Sequence, residues 1–294
     1  MADAPKKQPK LLPIVRRVAD LRAEVSKWRR NGETVAMVPT MGALHDGHLS
    51  LLQTARRKAN RVLTSIFVNP KQFGPAEDFQ KYPRQEQKDV EKLIQARCDL
   101  LYAPTVDEIY PDGFATNVHV GRISEGLCGA ARPGHFDGVA TVVTKLLLQA
   151  LPDVAVFGEK DYQQLLVIKR FVADLNIPVE IVGAETVREP DGLAMSSRNA
   201  YLSEEERTRA KQFPWVLSAL AIEISKRPDD FARRVENARK LLLESGVDKV
   251  DYLDVRDAAT LEPLDKIDRP ARVFGAVFIG KTRLIDNMPI PAKK

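Results

Sequence analysis

Through the first two thirds of the chain, short apolar runs of β type alternate with longer stretches whose apolar residues recur every three or four positions. The runs TVAMVP (34–39), RVLTSIFV (61–68), CDLLYAP (98–104), DVAVFG (153–158) and PVEIVGAE (178–185) read as strands. Between them the spacing predicts helices over Leu49–Ala59, Arg84–Arg97, Val139–Leu151 and Tyr162–Leu175. In the first of these, Leu49, Leu52, Ala55 and Ala59 fall on one face. Such alternation predicts an α/β fold: a Rossmann-like parallel sheet with helices on both faces. Ligands of such sheets bind beyond the carboxyl ends of the strands.

The pattern changes after Val187. REPDGLAMSSRNAYLS (188–203) is a long polar connection, and SEEE from Ser203 is a capping-box pattern that opens a new helix. A second helix is expected around Phe231–Ser245, followed by the apolar runs VDYLDV, ARVFGAVFIG and TRLIDNM. Residues 1–187 therefore read as the sheet domain and 188–294 as a smaller α+β domain with a short sheet.

Composition narrows this little. At 294 residues the chain has room for one or two cores. An apolar fraction of 44% with 29% charged residues is ordinary for a globular protein. No apolar run approaches the roughly 20 residues that span a bilayer. The opening MADAPKKQPK lacks the apolar core of a signal peptide and reads as a short basic tail. Two cysteines, Cys98 and Cys128, cannot build a disulfide framework. They read as packing thiols and fit a cytoplasmic protein. The net charge of +5 comes from 45 cations interspersed with 40 acids. SKWRR and TARRKANR look like solvated helix faces, so nucleic acid is not the expected partner.

The chemistry concentrates in VPTMGALHDGHLSLL, 38–52, which holds two of the chain's four histidines. A strand ends, a turn follows, and His45 and His48 stand where a helix begins. Gly42 and Gly47 lack the Cβ atoms that would keep a ligand from the backbone. A helix N-terminus offers free N–H groups and partial positive charge, which suit a phosphate. The residues alone leave three readings open: phosphate binding, an H-x-x-H metal pair, and a purely structural pair. A second pattern, GAVFIGKT (275–282), satisfies the G-x-x-x-x-G-K-[ST] phosphate-loop motif. Its Ala276–Ile279 segment is an apolar strand, and only 12 residues follow Thr282. No room remains for the helix that motif requires, so Lys281 is read as a coincidence.

HDGH after VPTMG resembles the H-x-G-H signature of nucleotidyltransferases, a group that includes class I aminoacyl-tRNA synthetases. Five blocks in order, VPTMGALHDGH, SIFVNPKQF, RPGHFDGV, FGEKDYQQL and DGLAMSSRN, resemble the pantothenate synthetase (pantoate–β-alanine ligase) family. The likeness runs from Leu11 to Met288. It implies ATP-dependent condensation of pantoate with β-alanine through a pantoyl-adenylate, releasing pyrophosphate and AMP. It also implies a C-terminal lid, a homodimer, and magnesium arriving with ATP.

The resemblance assigns catalytic roles to His48, His45, Lys160 and Arg198. ATP binding extends to Met41, Gly42, Gly47, Gly158, Glu159, Asp161, Val187, Met195, Ser196 and Ser197. Asp161 has a second reading, as the N-cap of the helix that follows. Gln72 and Gln164 can both donate and accept hydrogen bonds, which suits the two hydroxyls of pantoate. Pro39, Met41 and Phe73 offer a wall for its methyl groups, with Asn69 and Arg132 as further substrate contacts. His135 is expected beneath the site, and Asp89 is a candidate outer magnesium ligand. The competing expectations are another H-x-G-H adenylyl- or cytidylyltransferase and, from a different class, a nucleic-acid binder.

Overall fold

The computed structural model describes residues 11–75 and 77–291, so the basic N-terminal tail lies outside the described residues. The N-terminal part runs β1 (Ile14–Val15), α1 (Val18–Arg30), β2 (Val35–Thr40), α2 (Asp46–Lys58), β3 (Arg61–Ile66), α3 (Glu86–Gln95) and β4 (Leu100–Tyr102). It continues through α4 (Val106–Ile109), α5 (Cys128–Ala131), α6 (His135–Ala150), β5 (Val154–Gly158), α7 (Tyr162–Asp174) and β6 (Glu180–Ala184). The six strands form one parallel sheet in the order β1-β4-β3-β2-β5-β6. Alternate residues of β2 face opposite layers: Val35 and Met37 pack with α1, α6 and α7, while Ala36 and Val38 pack with α2 and α3. Helices thus cover both faces, as the near-continuous apolar strands require.

Four elements escaped the sequence pattern, among them the four-residue helices α4 and α5. Strand β1 has two residues, too few for periodicity to show. Helix α1 has charged residues at nearly every other position and buries only Leu21, Val25 and Trp28. Helix α2 also starts three residues earlier than its apolar face, at Asp46. That shift places His48 inside the first turn.

The strand order reverses between β2 and β5, which pair directly through Ala36–Val154 and Met37–Ala155. Chain leaving the two strands there must diverge, and the opening lies at their carboxyl ends. The H-x-G-H segment follows β2, and the GEKD segment follows β5.

Beyond β6 come α8 (Glu204–Ala210), α9 (Gln212–Lys226), α10 (Phe231–Glu244), β7 (Lys249–Asp257), β8 (Ala271–Ile279) and β9 (Thr282–Pro289). The last three form an antiparallel sheet with β8 in the middle. Ser203 caps α8: its Oγ accepts from the Glu206 N–H at 3.2 Å, and its own N–H donates to the Glu206 carboxylate at 2.9 Å. The helix expected from Ser203 is in fact two. Pro214 sits in the first turn of α9, where its missing N–H costs no helical bond. Phe213, Leu217, Leu220, Val273 and Val277 build the core of this unit. GAVFIGKT is a β-hairpin, with Gly275–Ile279 on β8 and the turn at Gly280–Lys281. A Cβ on Gly275 would lie 2.7 Å from the Phe213 ring, so that glycine serves packing.

Candidate active site

At the mouth of α2, His45 is the residue preceding the helix and His48 the third within it. The His45 backbone N–H donates to His48 Nδ1 at 3.3 Å. A nitrogen that accepts carries no proton, so His48 is the tautomer with its single N–H on Nε2. The two rings lie 4.0 Å apart, centroid to centroid. Burial, then the neighbouring His45 and the Lys160 and Lys92 ammoniums, push the His48 pKa down from 6.5 to about 3. Burial and the same two lysines bring His45 to about 4. Both rings are therefore neutral at physiological pH and bring no cation to the helix mouth. His45 Nδ1 is buried with no hydrogen-bond partner among the described residues.

The glycines here have a different reason from the one expected. A Cβ on Gly47 would stand 2.9 Å from the His45 ring and 3.4 Å from Met195 Cβ. Its empty space therefore receives those side chains, and no ligand need be invoked. Gly42 has φ +81°, a left-handed conformation, and a Cβ there would meet Asp89 Oδ2 at 3.0 Å. Asp89 is buried and accepts from the backbone N–H groups of Ala43 (2.9 Å) and Leu44 (2.8 Å). It shapes the turn that presents the histidines. Against the reading of Asp89 as an outer metal ligand, the structure buries it outside the cavity lining with both oxygens bonded to the backbone.

On the β5 side, Gly158, Lys160 and Asp161 face the same space as the histidines. Lys160 Nζ lies 3.7 Å from Asp161 Oδ1. No side-chain cap of α7 is made by Asp161, which weakens its structural reading. Glu159 departs from expectation. Successive residues of the Glu159–Asp161 turn point in different directions, and Glu159 meets Arg272 of β8 at 3.4 Å, away from the cavity.

The polar connection forms a hairpin above α2. Met195 N–H donates to Val187 O at 3.0 Å, and Glu189 N–H to Leu193 O at 2.8 Å. Ser196 then caps a single turn, Ser197–Tyr201. The Ser197 hydroxyl is 3.3 Å from Tyr82 OH. Arg198 holds Asp78 with two bonds, 3.1 and 2.9 Å.

At the inner end, Asn69 is buried and donates to Gln72 Oε1 (3.0 Å) and Gly138 O (3.1 Å). Among the described residues Gln72 Nε2 reaches only the weakly accepting Met41 sulfur at 3.2 Å. Gln164 makes no side-chain hydrogen bond among the described residues. Arg132 grips Glu77 at 2.7 and 2.6 Å. His135 donates through Nδ1 to Gln72 O at 2.8 Å, leaving Nε2 to accept from Arg132 at 2.9 Å. Burial and the Arg132 charge bring its pKa down to about 4.

These groups enclose a cavity of about 220 Å³ lined by Pro39, Met41, His45, Gly47, His48, Asn69, Gln72, Phe73, Arg132, His135, Gly158, Lys160, Asp161, Gln164, Val187 and Met195–Arg198. Of the expected site residues, Gly42 and Glu159 stay out. The cavity opens into a cleft of about 1410 Å³ lined by parts of the 74–81 loop, the 193–201 connection and the β8–β9 hairpin. Sequence reasoning missed Tyr82, Thr186 and the floor of Val139, Val142, Val143 and Leu146 from α6. The i, i+3, i+4, i+7 spacing of that floor was visible, but it reads equally as a face against the sheet. Among the described residues, no three His, Cys, Asp or Glu side chains gather to hold a metal. The donor set does not form a metal cage of the protein's own.

A switch-point cavity with an H-x-G-H helix mouth on one wall and a lysine turn on the other defines an α/β enzyme of the H-x-G-H type. A family model described as pantoate-beta-alanine ligase matches residues 13–289. The pantothenate synthetase of Paramagnetospirillum magneticum is 57% identical over 282 residues, 94% of this chain and 97% of that one. Among solved structures, the pantothenate synthetase of Thermus thermophilus has a TM-score of 0.85 at 46% identity, covering 95% of this chain and 99% of that one. The pantoate-beta-alanine ligase of Francisella tularensis, complexed with beta-gamma ATP and beta-alanine, has a TM-score of 0.80 at 36% identity, with 95% and 97% covered. The chain belongs to the pantoate–β-alanine ligase family.

Proposed function

We propose that this protein condenses pantoate with β-alanine at the expense of ATP, by way of a pantoyl-adenylate. A carboxylate is a poor electrophile, and AMP supplies the leaving group it lacks. In the first step the pantoate carboxylate oxygen attacks the α-phosphorus, and the bond to pyrophosphate breaks. In the second, the β-alanine amine attacks the acyl carbon and AMP departs.

The observation that carries this reading is the pair of neutral imidazoles facing Lys160 across one cavity. Negative charge grows on the α-phosphate and on departing pyrophosphate, and donors fixed in advance at those positions lower the barrier. His48 offers its Nε2–H, and Lys160 adds a full positive charge. Ser196, Ser197 and Arg198 supply donors from above, the last once it exchanges Asp78 for phosphate. Gln164, with its amide unspent, and Gln72 suit the pantoate hydroxyls, while the α6 floor suits the gem-dimethyl group.

At about 220 Å³ the inner cavity is smaller than ordinary small-molecule sites of about 300–1,000 Å³. Pantoate fits this inner end, and ATP extends into the cleft. Residues 1–187 hold both substrates in this reading, and 188–294 close over them. Magnesium belongs to the nucleotide phosphates, since the ion keeps much of its shell as water and phosphate oxygen. A cytoplasmic homodimer completes the proposal. Among the described residues no helix is long and apolar enough to cross a membrane. AMP formation from ATP, measured with pantoate and with or without β-alanine, tests the activity. No AMP with all three substrates present would refute it.

A further inference from the structure

The Lys160 turn is held from the other domain. Asn287, on β9 and buried, donates from one amide nitrogen to Glu159 O at 2.9 Å and to Lys160 O at 3.0 Å. Its amide oxygen accepts from Arg272 Nε at 2.5 Å. The orientation is unambiguous, because carbonyls only accept and a guanidinium only donates. Arg272 is itself fixed: its guanidinium stacks on the Tyr162 ring at 4.0 Å and meets Glu159 Oε2 at 3.4 Å. The preceding residue, Asp286, binds Arg188 of the hairpin with two bonds, 2.7 and 3.0 Å. One strand therefore touches both segments that face the phosphates, and it grips the lysine turn by its backbone.

We propose that Asn287 is a positioning residue for Lys160, so that the C-terminal sheet sets the aim of the ammonium. Two consecutive carbonyls tied to one rigid amide leave the Glu159–Asp161 turn little freedom to rotate. Among the described residues the Lys160 ammonium has no ion-pair partner except Asp161, its neighbour in the turn. Its direction then depends on the backbone beneath it. The inference rests on the phosphate role assigned to Lys160 above.

The test is a double-mutant cycle on the full-length protein with saturating ATP, pantoate and β-alanine. Asn287→Leu removes the amide at similar bulk. Asn287→Asp keeps an acceptor for Arg272 but donates nothing, so it serves if the leucine variant fails to fold. Each is expected to lower kcat about 10- to 100-fold, the scale of an ångström-size misplacement, with KM for pantoate near normal. In a Lys160→Ala background the same substitution should change kcat less than about twofold, because the group it aims is gone. A full multiplicative loss in that background would overturn the proposal and leave Asn287 a structural residue, as would wild-type kcat in a folded Asn287 variant. Wild-type kcat in Lys160→Ala alone would instead overturn the role of Lys160.

Discussion

Replacing His48 by alanine separates the catalytic work proposed for it from its structural work. The structural part is small. One neutral hydrogen bond, 3.3 Å long, joins its Nδ1 to the His45 N–H. A bond of that kind contributes about 1 kcal/mol to stability, so the variant should remain folded. The catalytic part is larger. The Nε2–H is a fixed donor in a partly closed cavity, and losing one such transition-state donor costs about 10²- to 10³-fold in kcat, or about 3–4 kcal/mol. The charge it meets develops during phosphoryl displacement, so the loss should fall on kcat, with KM for ATP changed much less. His48→Gln, which can place an amide N–H near the Nε2 position, should recover part of the rate. Since the ring stays neutral down to about pH 3, the wild-type kcat profile should show no inflection near 6.5 from this residue. The assay is steady-state pantothenate formation across pH, alongside thermal unfolding of each variant. Near-normal kcat in folded His48→Ala, or a loss confined to KM, would refute the reasoning.

Gln164→Leu keeps similar bulk but leaves a pantoate hydroxyl unpaired, at about 1–3 kcal/mol. Its KM for pantoate should rise while ATP binding, followed by calorimetry, stays near wild type; the reverse pattern would invert the pocket. Lys281→Ala at the β8–β9 turn should leave turnover close to wild type, and loss of ATP binding by the folded variant would revive the phosphate-loop reading. The three depressed histidines make acid destabilising. Unfolding returns His45, His48 and His135 from about 4, 3 and 4 towards 6.5, so below pH 6.5 the unfolded chain binds protons the folded one refuses. Stability should fall from pH 6.5 down to about 4 for His45 and His135 and about 3 for His48, by roughly 2 kcal/mol per histidine at pH 5, because a tenfold change in proton affinity is worth about 1.4 kcal/mol. Urea unfolding should show a shallower pH slope for His135→Gln, and an unchanged slope would contradict the burial assigned to it.

What was legible in the sequence was local. The strands around the switch point are continuous apolar runs, and the H-x-G-H segment carries its chemistry within four residues. The supports of that chemistry come from far along the chain and left no local mark. Asp89 reaches back to Ala43 and Leu44 from a helix read only as amphipathic. Asn287 sits in a strand that looked like packing. Glu159 shows the same limit: it neighbours Lys160 in sequence, yet the turn sends its side chain to Arg272. At Gly47 the packing need was not legible either, because the side chains that a Cβ would meet are His45 and Met195. Pairings such as Arg198 with Asp78 and Arg132 with Glu77 have no periodicity to read.

The order of chemistry is the central claim, and isotope exchange tests it most directly. In the proposed reading His45, His48, Lys160 and Arg198 serve adenylation, and none of them needs β-alanine. With enzyme, magnesium, ATP and pantoate alone, labelled pyrophosphate should exchange into ATP, and the exchange should vanish when pantoate is omitted. Exchange that appears only after β-alanine is added, in enzyme that makes pantothenate, would contradict the two-step account.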